Sequence, residues 1–350
     1  KNISKKIAKL IGAEPDEIFV GDTTSLNLYK LIYSALNFQK GKKKIISDSL
    51  NFPSDLYVLE GMVNEHFKKH QLEIIGKRDD VSIRSNIISE SLDADTALLT
   101  LSLVTYKSSF LYDMKEVNEI AHAQNSLVLW DLSHAVGAVP INLRESNADL
   151  AIGCTYKYLN GGPGAPAFLY VKKSLQSKMK NPIWSWFSHE KPFDFEANYQ
   201  AANSIQKFAI STPSILSLAP IEVGVDIVLE AGMNNIRAKS KGLSSFLLKL
   251  IKEELMPLGF KIASPTTNSK RGSHISIQHD EGYRINKAMI VPKANTKVII
   301  PDFRPPNNIR LGLTPLYTSY KDIVETVARI KFIIINKEYE QFSNEKMLVP

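Results

Sequence analysis

The sequence predicts an α/β fold: a mainly parallel seven-stranded sheet with helices on both faces, followed by a smaller C-terminal α+β domain. Three observations predict it. At 350 residues, 44% hydrophobic and 23% charged, the chain is long enough for one large core and a second, smaller one. Its first two-thirds alternates β-rich apolar runs with stretches of helical period, the pattern of a parallel sheet covered on both faces. From about Phe260 onward strands and helices mix without that regular alternation. The expected division is a large domain over 1–225, with 1–14 the end of a leading helix, and a small domain over 226–350.

The expected strands of the large domain are 17–21, 44–48, 73–76, 97–103, 127–131, 150–153 and 167–171. Between them, helical period marks 25–37, 54–68 and 114–125, with a shorter turn near 143–146. Residues 181–213 are rich in aromatics and lack clear periodicity, so a long ordered loop or lid is expected. Helices at 217–231 and 236–256 follow, then strands at 273–278, 296–301 and 308–312 and a final helix at 319–339. On such a sheet, ligands bind at the carboxyl ends of the strands.

Composition excludes several classes. No apolar run approaches the roughly 18–20 residues that span a bilayer, so no membrane partner is expected. The net charge of +7 is scattered apart from Lys40, Lys42, Lys43 and Lys44, which read as solvating the end of a helix, so no nucleic acid is expected either. The single cysteine, Cys154, cannot form an intrachain disulfide, which fits a reducing cytoplasm. The basic N-terminus lacks the apolar core of a signal peptide, and the chain opens in mid-helix, so a leading segment is expected before it.

The chemistry starts at Leu127-Val128-Leu129-Trp130-Asp131, an apolar run ending in an aspartate and followed by Leu132-Ser133-His134. Such an aspartate either caps the following turn or faces a cationic ring nitrogen or a metal in the ligand crevice. A second apolar run, 149–153, leads to Lys157 under a Gly/Pro-rich loop, 159–166. A lysine there either snorkels to the surface or serves as an amine nucleophile. Asp131 and Lys157 on successive strands are the pair pyridoxal phosphate (PLP) enzymes use, one holding the pyridine nitrogen protonated and the other forming a Schiff base with the aldehyde. Val20-Gly21-Asp22-Thr23-Thr24-Ser25 runs directly into a helix, which makes an anion seat with hydroxyl donors at Thr24 and Ser25; capping by Thr23 or Thr24 is the plainer alternative. In Asn51-Phe52-Pro53-Ser54-Asp55, Phe52 is either a core residue or a stacking surface, and Asp55 either a first-turn helix residue or a second carboxylate at the site. His66 and His70 have the spacing of metal ligands but lack the glutamate and third ligand of the zinc-protease pattern, so no metal is expected.

These motifs resemble kynureninase, a member of the aspartate-aminotransferase fold type (fold type I) of PLP enzymes. The strongest match is WDLSHAVGAVPINL…ADLAIGCTYKYLNGGPGAPAFLYV; GDTTSLNLYKL, LNFPSDLYVLEG, WFSHEKPFDFE, STPSILSLAP and DFRPPNNIRLGLTPLYTSYKD match in the same order. The resemblance implies that Lys157 binds the cofactor covalently, Asp131 pairs with its ring nitrogen and His134 lies against it. It implies further that Phe52 stacks on the ring beside Asp55, and that Thr24, Ser25 and Tyr156 hold the phosphate, with Tyr156 also a catalytic acid. Ser102 matches a cofactor-contacting hydroxyl, Trp186 and Thr212 match positions that reach the cofactor of a neighbouring subunit, and Arg310 matches the arginine that clamps the substrate carboxylate. The implied reaction is PLP-dependent hydrolysis of L-kynurenine or 3-hydroxykynurenine to anthranilate or its 3-hydroxy form and L-alanine, in tryptophan catabolism and NAD biosynthesis, by a cytoplasmic homodimer with shared sites.

The sequence departs from the family at Trp184-Ser185-Trp186-Phe187-Ser188, where serines replace glycines. The family also carries a leading segment with a substrate-contacting histidine before the point where this chain begins. Two alternatives stay open. One is another enzyme of the same fold, an aminotransferase or a cysteine desulfurase, the latter requiring a reactive cysteine on a mobile loop. The other is a catalytically inactive dimeric paralogue or fragment.

Overall fold

The computed structural model describes residues 2–77, 80–291 and 297–345. They form two compact units: one comprises 1–106 and 112–233, the other 107–111 and 234–350. The expected division at 225/226 falls inside a continuous helix, Ile215–Ala231, which belongs to the first unit and packs on the N-terminal helix; the chain changes unit after that helix ends.

The first unit is built on a sheet of seven strands: β1 Ile18–Val20, β2 Lys44–Asp48, β3 Gln71–Ile75, β4 Thr96–Ser102, β5 Leu127–Asp131, β6 Leu150–Gly153 and β7 Phe168–Val171, in the spatial order β1-β7-β6-β5-β4-β2-β3. The run from β3 through β2, β4 and β5 to β6 is parallel. Strand β7 is antiparallel to both β6 and β1, so β1 regains the common direction. The carboxyl ends of β1, β2, β4, β5 and β6 therefore share one edge of the sheet, and the chain enters β7 from that same edge.

Helices α1 Asn2–Ile11, α2 Thr24–Phe38, α3 Pro53–Gly61, α4 Ser85–Ser91, α5 Met114–Ala123, the short α6 Lys173–Gln176 and α7 Ile215–Ala231 complete the unit. The pleat sends alternate strand residues to opposite faces. Leu127 and Leu129 join Leu28, Leu31 and Ile32 of α2 and Leu59 of α3 in one core. Trp130, wholly buried, points the other way and donates its indole N–H to Asn118 of α5 at 2.9 Å. Helices thus cover both faces.

The expected strands at 44–48, 127–131 and 150–153 coincide with β2, β5 and β6. Helix α4 was not anticipated: Ser85–Ser91 is short and polar, with Ile88 its one buried residue. The helix expected over 54–68 stops at Gly61 and ends in a π turn, Met62–His66. Part of the basic cluster is structural rather than solvating. Lys42 Nζ donates to the carbonyls of Thr96, Gln124 and Asn125 at 3.1, 2.6 and 2.9 Å, and Lys44 pairs with Glu73 and Asp93.

The second unit carries α8 Met233–Leu250, β8 Lys261–Ile262, β9 His274–Gln278, α9 Gly282–Ile290, β10 Asp302–Arg304, β11 Asn308–Gly312 and α10 Tyr320–Ile335. Its four-stranded sheet has the order β10-β11-β9-β8, all antiparallel. Residues 107–111 lie against it: Ser276 and Gly272 bond to the carbonyls of Lys107 and Ser109, and Leu111 N–H donates to the carbonyl of Lys270. The strand expected over 296–301 is corrected. Thr296 lies outside the described residues, 297–301 is not a strand, and pairing begins at Asp302, where the chain meets Arg310 of β11. No helix among the described residues is long and apolar enough to cross a membrane.

One contact ties α7 to the loop after β6. A Cβ at Gly224 would lie 2.3 Å from the carbonyl oxygen of Leu159 and 2.7 Å from that of Asn160. Both are backbone atoms, so a larger residue must displace the loop that follows Lys157. Gly224→Ala is expected to destabilise the protein by about 1–3 kcal/mol, read as a lower thermal midpoint.

Candidate active site

Five loops converge on the shared edge. The first follows β1. Gly21 N–H donates to Ala167 O at 2.9 Å and Ala167 N–H returns a bond to Asp22 O at 2.8 Å. Asp22 sits in the left-handed region (φ 59) and turns the chain into α2. Thr23 is the cap, its hydroxyl accepting from Leu26 N–H at 3.2 Å. The capping alternative therefore applies to Thr23, while Thr24 and Ser25 head the helix. Ser25 Oγ lies 3.1 Å from Ser54 Oγ, which links this anion seat to the loop bearing Phe52 and Asp55.

The second loop follows β2. Asp48, wholly buried, accepts from Leu50 N–H at 2.9 Å and from the Tyr112 hydroxyl. Asn51 Oδ1 accepts from Phe52 N–H at 2.9 Å, and Pro53 opens α3. Phe52 is no core residue: it is 37% exposed, and its ring meets that of Tyr106 edge to face at 5.3 Å. Asp55 is in the first helical turn but only 3% exposed, and its Oδ2 has no hydrogen-bond partner among the described residues. Desolvation, then the negative charge of Asp131, push its carboxyl well above the usual carboxylate range, against the pull of Lys157.

Asp131 ends β5. One oxygen accepts from Ser133 N–H at 2.8 Å, so the turn-capping role is real. The other stands 3.5 Å from Ser102 Oγ at the end of β4 and is left for a cationic partner. Ser102 is held by Asn51, to which it donates at 2.6 Å; Asn51 in turn donates to Ser47 at 3.1 Å. His134 is buried in the turn beyond Asp131.

Beyond β6, the Gly/Pro-rich loop folds back on itself. Gly161 N–H donates to Thr155 O at 2.9 Å, Asn160 N–H to Lys157 O at 3.1 Å, and Thr155 Oγ1 to Pro166 O at 2.6 Å. Lys157 is half-buried, its Nζ 5.8 Å from the Tyr156 ring centroid. Both Asp131 and Lys157 act on the charge of Asp55 and of Cys154, so strand-end lysine and strand-end aspartate belong to one electrostatic cluster. The Tyr156 hydroxyl is pushed up to about 12, first by desolvation and then by Cys154. Cys154 is 1% exposed and bonded to Ser133, and burial pushes its thiol up. It is a buried packing residue, not a mobile nucleophile.

A cavity of about 590 Å³ opens beside this cluster, lined by Thr24, Ser25, Tyr156 and, from the far wall, Thr212. The segment before that wall is ordered around two 3₁₀ turns, Trp186–Ser188 and Ile205–Phe208, as a long structured loop. Trp186 does not line the cavity. It is 40% exposed, stacked on Phe195 and edge-on to Phe187. The serines of this segment fit without strain: Ser185 is extended (φ −149) and Ser188 Oγ donates to its carbonyl at 2.8 Å.

Arg310 lies in the second unit, on β11. It bonds the Asp302 carboxylate across the β10–β11 pair, with Nε at 3.1 Å. His66, one of the two histidines considered above, lies 3.2 Å from the Tyr29 hydroxyl.

Residues 236–330 match the family described as the kynureninase C-terminal domain. The kynureninase of Pseudomonas fluorescens is 34% identical over 345 residues, covering 97% of this chain and 80% of its own length. The chain belongs to the kynureninase family. The kynureninase of Burkholderia mallei is also 34% identical, over 95% of this chain and 78% of its own. Among solved structures, a cysteine desulfurase from Thermococcus onnurineus superposes with a TM-score of 0.80 at 17% identity, over 95% of this chain and 83% of that one. A C-DES mutant with glycine covalently linked to its PLP cofactor gives 0.78 at 14%, over 94% and 84%. At such identities these two show the shared fold alone. The kynureninase relatives align across both units, so the family assignment does not rest on the small domain only.

Sequence reasoning missed Asn51, Tyr106, Asp302 and the buried Lys30. Asn51 stood beside Phe52 in the same motif, and Lys30 falls within a buried helical stripe with Asn27 and Ser34, three and four residues away. Nothing local pointed to Tyr106 or Asp302.

The raised Asp48 carboxyl, pushed up to about 6 by burial, sets a pH dependence. An acid whose folded value lies above its unfolded value near 4 destabilises the fold once ionised. Stability should therefore fall by about 3 kcal/mol as pH rises from 4 through 6, at about 1.4 kcal/mol per pH unit between the two values. Asp48→Asn should flatten that fall in denaturant titrations, and an unchanged slope would contradict the assignment.

Proposed function

We propose that this chain is a PLP-dependent hydrolase that cleaves the Cβ–Cγ bond of L-kynurenine, or its 3-hydroxy form, to give an anthranilate and L-alanine. The observation that carries the reading is the cluster of Asp131, Asp55 and Lys157 on one sheet edge beside a cavity with hydroxyl donors, in a chain 34% identical to a kynureninase over 97% of its length.

The residues present fit the cofactor. Asp55 Oδ2 is buried without a hydrogen-bond partner among the described residues, and Asp131 has one oxygen fixed by Ser133 and the other 3.5 Å from Ser102 Oγ, within reach of a cationic group. Lys157 would hold the aldehyde, Asp131 the ring nitrogen, and Phe52 a ring face, with His134 and Ser102 beside it. Thr24, Ser25 and Tyr156 would hold the phosphate. When bound, PLP supplies an electron sink for the pair released by the broken carbon–carbon bond.

The protein's own contribution is orientation and proton control. Asn51 holds the Ser102 hydroxyl beside one oxygen of Asp131, and Ser133 N–H fixes the other. The Tyr156 phenol, held at about 12, stays protonated at neutral pH and can deliver its Oη proton to the leaving carbon. Lys157 is the base that moves the α-proton. Arg310 clamps the substrate carboxylate, for which it must exchange or share the carboxylate of Asp302. The exposed Trp186 and Thr212 suit a homodimer whose partner completes each site. A role in tryptophan catabolism follows from the substrate proposed, and the lone cysteine fits a reducing cytoplasm.

Borohydride reduction of the PLP-loaded protein should fix the cofactor on Lys157, and Lys157→Ala should abolish the adduct and cut anthranilate release by about 10²–10⁴-fold. An adduct surviving elsewhere would overturn the assignment. Arg310→Ala should raise KM by roughly 30-fold, the cost of about 2 kcal/mol for a charge-assisted pair, with PLP affinity unchanged. Equal losses for both ligands would contradict its role.

A further inference from the structure

Lys30 is a wholly buried cation beside the cavity that the reading above leaves unused. It sits in mid-helix α2 with no exposed surface. Its Nζ donates to Asp22 Oδ2 at 2.8 Å and to the carbonyl of Phe208 at 2.8 Å, and lies 5.0 Å above the ring of Phe19. Asp22 belongs to one wall of the cavity, the turn that carries Thr24 and Ser25. Phe208 closes the 3₁₀ turn that leads to Ala209 and Thr212 in the other wall. A single buried ammonium therefore pins both walls.

The charge balance of the cavity gives this bridge a further meaning. Asp22 is the only charged residue among the described lining residues, none of which is a lysine or arginine. A cavity with one carboxylate and no cation repels a phosphate ester, and low dielectric strengthens the repulsion. Lys30 stands directly behind that carboxylate. Burial lowers its ammonium to about 8, with Asp22 pulling the other way, so it remains mostly cationic at neutral pH.

We propose that Lys30 is the counter-ion of the phosphate seat, a positioning residue that neutralises Asp22 and locks it to the Phe208 carbonyl so that the cavity accepts a phosphate dianion. This rests on the cofactor reading above and adds to it. The hydroxyls and the helix start supply hydrogen bonds, while Lys30 removes the opposing charge. Deleting Lys30 exposes the phosphate to a naked carboxylate; deleting both members of the pair does not.

The test compares PLP with pyridoxal, which lacks the phosphate, by titrating each aldehyde into the protein and reading the absorbance of the lysine adduct. The ratio of the two dissociation constants isolates the phosphate. In Lys30→Met the ratio should fall by about tenfold or more. In Lys30→Met/Asp22→Asn it should return to within about threefold of the original protein, because the charge pair is removed as a unit. Asp22→Asn alone should raise the preference for PLP over pyridoxal severalfold, because the Lys30 ammonium then stands behind the phosphate with no carboxylate between them, and this variant decides the matter should Lys30→Met fail to fold. A purely structural lysine would weaken both aldehydes equally in Lys30→Met, with no rescue by the second substitution. Either result, or an unchanged or lower preference for PLP in Asp22→Asn alone, overturns the proposal while leaving the cofactor site intact. An original protein that binds neither aldehyde overturns both.

Discussion

In-register parallel pairing of β5 with β6, Asp131 opposite Ile152, sends both chains out of the sheet at the same edge. The carboxylate at the end of one strand and the amine just beyond the end of the next are thereby held in one region by backbone hydrogen bonds rather than by side-chain contact. Every other feature of the site is arranged around that pairing. Strand β4 adds Ser102 on the outer side of Asp131, in register opposite it, and the loop after β2 supplies Asn51, Phe52 and Asp55. The reversal of β7 brings residues 163–167 back over the same edge. A slip of one residue along β5 would turn Asp131 to the other face of the sheet and dissolve the cluster.

The site concentrates buried charge of one sign. Asp48, Asp55 and Asp131 are each no more than 5% exposed, and two of the three are pushed above the ordinary carboxylate range by burial. An isolated buried carboxylate is costly unless it is paired or protonated. Asp48 meets this cost with the Tyr112 hydroxyl and backbone donors. Asp55 has no hydrogen-bonding partner for Oδ2 among the described residues, and Lys157 is the cation that offsets it. The two carboxylates of Asp55 and Asp131 favour a cationic group beside them, which is the electrostatic character expected of a protonated pyridine ring.

Much of the fold was legible because local signals agreed. Strands β2, β5, β6 and β11 begin and end where their apolar runs meet polar or turn residues, and their bounds follow from sequence. Elements that depend on tertiary contact were not legible. Helices α4 and α9 are short, strand β8 has two residues, and β10 lies beyond the run that sequence favoured because its pairing with β11 decides where it forms. The site divides in the same way. Asp131, Lys157, Thr24, Ser25 and Phe52 stand in motifs. The Asn51–Ser102 contact joins residues far apart in the chain, and the Asp302–Arg310 pair depends on hairpin register, so neither has a local signature.

Nitrogen NMR of the protein loaded with PLP labelled with ¹⁵N in the ring reads directly whether Asp131 keeps that nitrogen protonated. A pyridinium shift that persists to alkaline pH is expected in the original protein, and the shift of neutral pyridine in Asp131→Asn. A neutral-pyridine shift in the original protein, or a pyridinium shift that survives loss of the carboxylate, would contradict that role of Asp131.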